Sequence, residues 1–309
     1  MFPPNKCRVA EGRANLMPTP LVELSRGLLV KFECNNLGGS HKVRAARHIV
    51  RRAIRDGDIL PGRTTVIEKT GGNFGFGLTV ACAELGVPVE LAVGLSFSPI
   101  KRRLLGVCGA KLIGIDMLSV GASPREVVEW HLARASEEGK HYFYTDQFSN
   151  RGSVDAHEFE TGPEIVSQLR SWPDIETVVF VSCAGTGASL TGVTRSLRAA
   201  GFETQAVLVE PEGCDSRHNM FVQHSLEGMS VGVVPPFVDW TLVSEVRHVT
   251  PGQVEDAYQR FAQQHGLFIG KTSAACLSVA CELARDSSPK RKVLAMIYDH
   301  GLWYVPAGV

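Results

Sequence analysis

Gly27-Leu28-Leu29-Val30-Lys31-Phe32-Glu33, followed by Asn35-Asn36-Leu37-Gly38-Gly39-Ser40-His41-Lys42-Val43-Arg44, reads as a strand that passes through a glycine turn into the mouth of a helix. The first run is short and apolar, as a buried strand requires. Ala45-Ala46-Arg47-His48-Ile49-Val50-Arg51-Arg52-Ala53-Ile54 then carries apolar residues at helical spacing, with Ser40 as the natural N-cap. Lys42 is therefore set in a first helical turn, where the partial positive charge of the helix end disfavours a cation. If that position is also desolvated, its pKa falls and the neutral amine, the form an imine-forming lysine needs, is favoured. Taken alone, the stretch fits a solvated surface lysine as well. Residues further along the chain decide between the two.

Outward from this unit, strand-like and helix-like runs alternate. Thr64-Thr65-Val66-Ile67-Glu68 leads through Thr70-Gly71-Gly72-Asn73-Phe74-Gly75 into a helical run from Gly77 to Leu85. Val87 to Val93 is a strand, a helix opens at Ser98-Pro99, Lys111 to Ile115 is a strand, and a charged helix covers roughly 123 to 138. The alternation resumes with strands at Glu176–Val181, Thr204–Val209 and Lys292–Ile297 and a helix from Ala188 to Ala200. Such alternation predicts an α/β fold with parallel sheets wound by right-handed crossovers. The proline-punctuated stretch from Arg13 to Leu24 is expected to be extended. The polar, glycine-interrupted stretch from Tyr144 to Gly162 is expected to hand one lobe over to the other, giving a smaller mobile lobe of 35–144 and a larger lobe of 1–34 and 145–309.

The bulk properties exclude several classes. With 309 residues, 44% of them hydrophobic, the chain can bury a two-lobed core. Thirty-two basic residues balance thirty-two acidic ones, so no global field draws in nucleic acid or an anionic membrane. The eight cysteines are scattered without CxxC spacing, which reads as reduced thiols in a cytoplasmic protein and gives no metal site. No signal peptide or run of some twenty apolar residues is present.

A second glycine turn, Ser182-Cys183-Ala184-Gly185-Thr186-Gly187-Ala188-Ser189, follows a strand and opens a helix. Its backbone N–H groups converge at a helix N-terminus, a ready-made anion site to which Thr186 and Ser189 add hydroxyls. It lacks the Lys-Ser/Thr of a P-loop and the spacing of a Rossmann fingerprint. A lysine at one helix mouth and a phosphate cradle at another suggest a phosphorylated aldehyde, which points to pyridoxal phosphate.

In order along the chain, Thr19-Pro20-Leu21-Val22-Glu23-Leu24, Gly39-Ser40-His41-Lys42-Val43-Arg44, Thr70-Gly71-Gly72-Asn73-Phe74-Gly75, Asp146-Gln147-Phe148-Ser149-Asn150, Thr161-Gly162-Pro163-Glu164-Ile165, Gly185-Thr186-Gly187-Ala188-Ser189 and Asp299-His300-Gly301-Leu302-Trp303-Tyr304 resemble motifs of the fold-type II pyridoxal-phosphate enzymes, specifically cysteine synthase and its β-replacing relatives. The resemblance covers residues 19 to 304. It implies a tryptophan synthase β-like fold of two lobes, each a mostly parallel twisted sheet flanked by helices, and a homodimer. It implies that Lys42 is the Schiff-base lysine and later removes the substrate α-proton. Asn73 would bond the ring 3′-oxygen, and Gly185, Thr186, Gly187, Ala188 and Ser189 would hold the phosphate. Thr70, Gly71, Gly72, Phe74 and Gln147 would surround the substrate carboxylate, and His300 stands where a residue facing the pyridine nitrogen is expected.

The chain departs from the family pattern at three of these positions. Gly71 replaces a serine and Phe74 a threonine, which removes two hydroxyl donors from the carboxylate loop and adds a ring. His300 replaces a serine; a neutral imidazole would keep the ring a moderate electron sink, whereas an imidazolium, or Asp299 turned inward, would change its electronics. Lys271 reads as a surface lysine. The resemblance implies elimination and replacement at the β-carbon of an O-activated serine through an aminoacrylate, with an amino acid and a small nucleophile as partners. The altered loop points to a product other than plain cysteine. Elimination to a keto acid and ammonia, or a non-catalytic paralogue with a regulatory role, stand as alternatives.

Overall fold

The computed structural model describes residues 17–70, 72–95, 97 and 99–304, the side chain of Trp303 aside. Gly71, Ser98 and the residues before Met17, which include the start of the expected extended stretch, lie outside the described residues. In chain order the elements are β1 (Leu21–Ser25), β2 (Leu28–Lys31), α1 (Lys42–Asp56), β3 (Thr64–Lys69), α2 (Asn73–Leu85), β4 (Val89–Ala92), α3 (Pro99–Val107), β5 (Lys111–Leu112), α4 (Ile115–Ser119), α5 (Pro124–Ala133) and β6 (His141–Tyr144). There follow α6 (Gly152–Ala156), a π-helical turn over His157–Thr161, α7 (Gly162–Leu169), β7 (Thr177–Cys183), α8 (Ala188–Ala199), β8 (Glu203–Pro211), β9 (Val243–Val249), α9 (Pro251–His265), α10 (Lys271–Leu283) and β10 (Arg291–Met296).

Two sheets organise the chain. One has the order β1-β2-β10-β7-β8-β9, parallel except for the antiparallel edge pair β1 and β2; the other has the order β5-β4-β3-β6 and is parallel throughout. The α/β expectation of parallel sheets flanked by helices is met. β2 and β4 are buried along their whole length, as strands covered on both faces must be. One core packs β2, β7, β8 and β10 against α8 and α10 through Leu29, Phe180, Leu208, Leu294 and Leu277. A second packs α1 and α2 on the smaller sheet through Ile49, Val66, Leu78 and Leu91, and Ala156 of α6 joins it.

Several local expectations are corrected. The strand at 111–115 is only the two residues of β5, because Gly114 takes a left-handed conformation and α4 starts directly after it. Ser40 does not cap α1. It is extended, bridges to Asp299, and its Oγ is buried without a partner, while the helix begins after His41.

Gly77 explains how α1 and α2 come together. A Cβ there would lie 2.7 Å from Val43 N and 2.8 Å from Val43 Cα, so only glycine lets α2 press against the first turn of α1, beside Lys42.

Candidate active site

Four helix N-termini open on one space. Lys42 is the first residue of α1, Asn73 the first of α2, Gly187 and Ser189 flank the start of α8, and Thr272 lies in the first turn of α10. With His41, Cys183, Gly185, Thr186 and Tyr298 they enclose a small cavity of about 60 Å3. A larger cavity of about 450 Å3 adjoins it, sharing Lys42, Asn73, Gly185, Thr186, Glu227 and Gly228 as walls. Thr70, Gly72, Phe74 and Gln147 line the larger cavity, so the expected substrate residues within the described chain stand around Lys42.

Lys42 is half-buried, and loss of water around it lowers its ammonium pKa to about 8, a tendency the nearby Cys183 thiol opposes. Lowering the pKa toward neutrality makes a larger fraction available as the free amine than an ordinary lysine offers, without losing its strength as a base. His41 and His157, whose rings lie 5.8 Å apart behind it, are both neutral. Burial, with the Lys42 charge adding to it, depresses His41 well below its ordinary value and His157 to about 3.

The turn before α8 is built for an anion. The first amides of a helix have no partner within it and carry its positive end. Gly187 sits at φ +85°, where a Cβ would meet Val238 N at 2.6 Å, so the tight turn that aims those amides requires glycine. Thr186 and Ser189 put hydroxyls on the same wall, while Ala188 lies on neither cavity. A phosphate at the turn, an aldehyde carbon at Lys42 and a polar ring edge toward Asn73 and Thr272 match this donor set, so pyridoxal phosphate fits the residues present.

His300 is on the wall of neither cavity and forms an isolated bridge with Ile269, whereas Thr272, on α10, lines the small cavity. Lys271, one residue earlier, belongs to a separate hollow with Glu212, His224 and Glu255. The signal in the sequence that could have found Thr272 is the hydroxyl pair Thr272-Ser273 directly after Gly270-Lys271. Asp299 is turned inward. Its Oδ2 accepts from Asn73 Nδ2 at 2.7 Å and from the Tyr304 hydroxyl, its Oδ1 is buried without a partner, and burial raises its carboxyl pKa.

Three motif residues do their work away from the cavity. Arg44, two residues after Lys42, pairs with both oxygens of Glu33 at 2.6 and 2.7 Å and with Glu164 at 2.8 Å. Lys31 also pairs with Glu164, and Thr19 Oγ1 donates to Glu33 at 2.6 Å. Burial pushes Glu33 and Glu164 up, but the Arg44 charge and hydrogen bonds outweigh it and hold both carboxyls below their ordinary value. This network clamps the start of α1 to α7 and to the chain beyond β2.

The family model described as pyridoxal-phosphate dependent enzyme matches residues 13–299. The chain belongs to this family. Cysteine synthase from Staphylococcus aureus is 29% identical over 298 residues, which covers 93% of this chain and 92% of the relative. Among solved structures, an O-ureido-L-serine synthase superposes with a TM-score of 0.81 at 28% identity, covering 94% of this chain and 92% of the other. An O-acetylserine dependent cystathionine beta-synthase from Helicobacter pylori, 24% identical with a TM-score of 0.80 and coverage of 94% and 95%, shares the fold. The protein is thus a pyridoxal-phosphate dependent enzyme, similar along nearly its whole length to cysteine synthases. Among its described residues, no helix is long and apolar enough to cross a membrane.

Proposed function

We propose that this enzyme removes an O-linked group from the β-carbon of a serine derivative and puts a nucleophile in its place, giving an amino acid other than cysteine. One observation carries the reading: the Lys42 amine, with its pKa lowered to about 8, stands on the wall common to the phosphate turn and the substrate-sized cavity. The cofactor, when bound, supplies the electron sink for the α-carbon. Lys42 would take the proton from Cα as the Cβ–O bond breaks and its electron pair leaves with oxygen. The nucleophile's pair then forms the new bond to Cβ, and Lys42 returns the proton to Cα. Thr70, Gly72 and Gln147 would hold the α-carboxylate, with Gly71 beside them in sequence. Gly185, Thr186, Gly187 and Ser189 would hold the cofactor phosphate, Asn73 its ring oxygen, and the Thr272 hydroxyl the ring nitrogen in place of His300. Closure of the smaller lobe, 35–144, would exclude water from these steps.

Phe74, Phe97 and Phe148 favour a product bulkier than cysteine, since their rings line the larger cavity. The test is product analysis by mass spectrometry after the holoenzyme is given O-acetyl-L-serine with sulfide and with larger nucleophiles. A replaced amino acid formed faster from a larger nucleophile supports the proposal. Cysteine formed as fast as by the Staphylococcus aureus enzyme would contradict the altered product, and a keto acid without replacement would move the enzyme to the lyases.

A further inference from the structure

We propose that the larger cavity receives a second negatively charged group from one of the reactants, bound by Lys101 with Lys69 beside it, and that Glu227 occupies Lys101 until that group arrives. This rests on the β-replacement reading and names the substrate class within it. The described cavity walls carry three cations besides Lys42, namely Lys69, Lys101 and Arg125, against the single carboxylate of Glu227. A substrate whose only anion is its α-carboxylate would be served by Thr70, Gly72 and Gln147, and the surplus positive charge would have no use.

Lys101 is the centre of the argument. It is only 4% exposed, an expensive place for an ammonium unless a counter-charge uses it. Its Nζ lies 4.1 Å from the centroid of the Tyr304 ring and 3.3 Å from Glu227 Oε2. The two partners differ sharply in environment: the side chain of Glu227 is 60% exposed, on the connection between β8 and β9, whereas Lys101 sits on α3 beside the smaller sheet. A buried cation held by a wet carboxylate is readily re-paired, because the carboxylate regains its hydration on release. Lys69, at the end of β3 next to Thr70, makes no ion pair among the described residues. Arg125 is exposed and already bonded to Glu129 at 2.7 Å, so it adds field at the mouth and no contact of its own.

A phosphate, sulfonate or carboxylate borne by the leaving group or by the nucleophile satisfies this site equally well, and O-phospho-L-serine and thiosulfate probe the two sources. The test compares kcat/KM of the holoenzyme for O-phospho-L-serine against O-acetyl-L-serine with sulfide, and for thiosulfate against sulfide with O-acetyl-L-serine. The proteins are wild type, Lys101→Met, Lys101→Arg and Glu227→Gln. The proposal expects Lys101→Met to cut the preference for the charged reactant by about tenfold or more, and Lys101→Arg to keep it within a few-fold. Glu227→Gln should raise the preference, since it removes the internal competitor; this opposite sign has no counterpart if the pair merely braces the fold. A Lys101-dependent preference in the first comparison assigns the anion to the leaving group, and in the second to the nucleophile. Equal preferences in all four proteins would overturn the proposal. If no reactant pair turns over, the β-replacement reading fails, and calorimetric titration of the same holoenzymes with inorganic phosphate decides: binding lost in Lys101→Met and strengthened in Glu227→Gln upholds the anion site, and binding independent of both rejects it.

Discussion

Glu68, the last residue but one of β3, carries a buried carboxylate that accepts from Thr145 Oγ1 at 2.5 Å, Lys69 N at 2.9 Å and Gln147 N at 3.3 Å. It thereby ties the strand to the segment that brings Gln147 to the cavity. Burial pushes its carboxyl pKa from 4.5 up to about 7, and the three hydrogen bonds only partly restrain it. The sign follows from linkage: the folded state holds this proton more tightly than the unfolded one, so the stability contributed is complete below about pH 4.5 and is lost as pH rises through about 7. Glu68→Gln is neutral throughout, so its thermal midpoint is expected to lose the fall that the wild type shows between about pH 4.5 and pH 7, a total worth at most about 3 kcal/mol. A constant offset between the two proteins carries no weight, while parallel pH profiles would contradict the burial argument. Nothing in Thr64-Thr65-Val66-Ile67-Glu68 announces this, because the burial is tertiary and the closest hydrogen-bond partner, Thr145, is 77 residues away. Sequence neighbourhood likewise does not tell whether His300 or Thr272 reaches the cavity wall, which Thr272 does. Lys42 was legible because a glycine turn and a helix start are local features.

At the scale of elements, the contact between α1 and α2 sets the position of Lys42. Gly77→Ala would drive a methyl into the backbone at Val43, which neither helix can yield without moving the first turn of α1. The expected outcome is a loss of about 1–3 kcal/mol in denaturant unfolding, together with less cofactor bound per chain, measured by absorbance. Full stability with full cofactor content would show that α1 does not depend on this approach. The interior strands could be read because parallel strands covered on both faces become apolar runs, as in Thr177–Cys183. β6 and β9 escaped because they are sheet edges: β9 alternates charged with apolar residues and is half-exposed. α9 escaped although Thr250, Pro251 and Gln253 form a capping box with proline in the first turn, a signal strong enough to have placed it.

Across the whole molecule, the Arg44 network joins Thr19, Lys31, Glu33 and Glu164, residues that the sequence showed only as separate motifs and the fold makes one clamp. Arg44→Met leaves Glu33 buried without its main counter-charge, and a loss of about 3–5 kcal/mol in unfolding free energy is expected; a change below about 1 kcal/mol would mean that the clamp is not what fixes α1. Held in this way, Lys42 faces both cavities, and the central claim is that it anchors the cofactor and carries the proton of the reaction. The most direct test is the visible absorbance of the protein reconstituted with pyridoxal phosphate, as wild type and Lys42→Ala, before and after O-acetyl-L-serine and O-phospho-L-serine. With the Lys42 pKa at about 8, the free amine fraction rises through that pH, so reconstitution should be faster at pH 9 than at pH 7. The account predicts a long-wavelength band in the wild type, absent from Lys42→Ala and altered by at least one of the two serine derivatives. A band of equal strength in Lys42→Ala, or a wild-type band that neither compound changes, would contradict it.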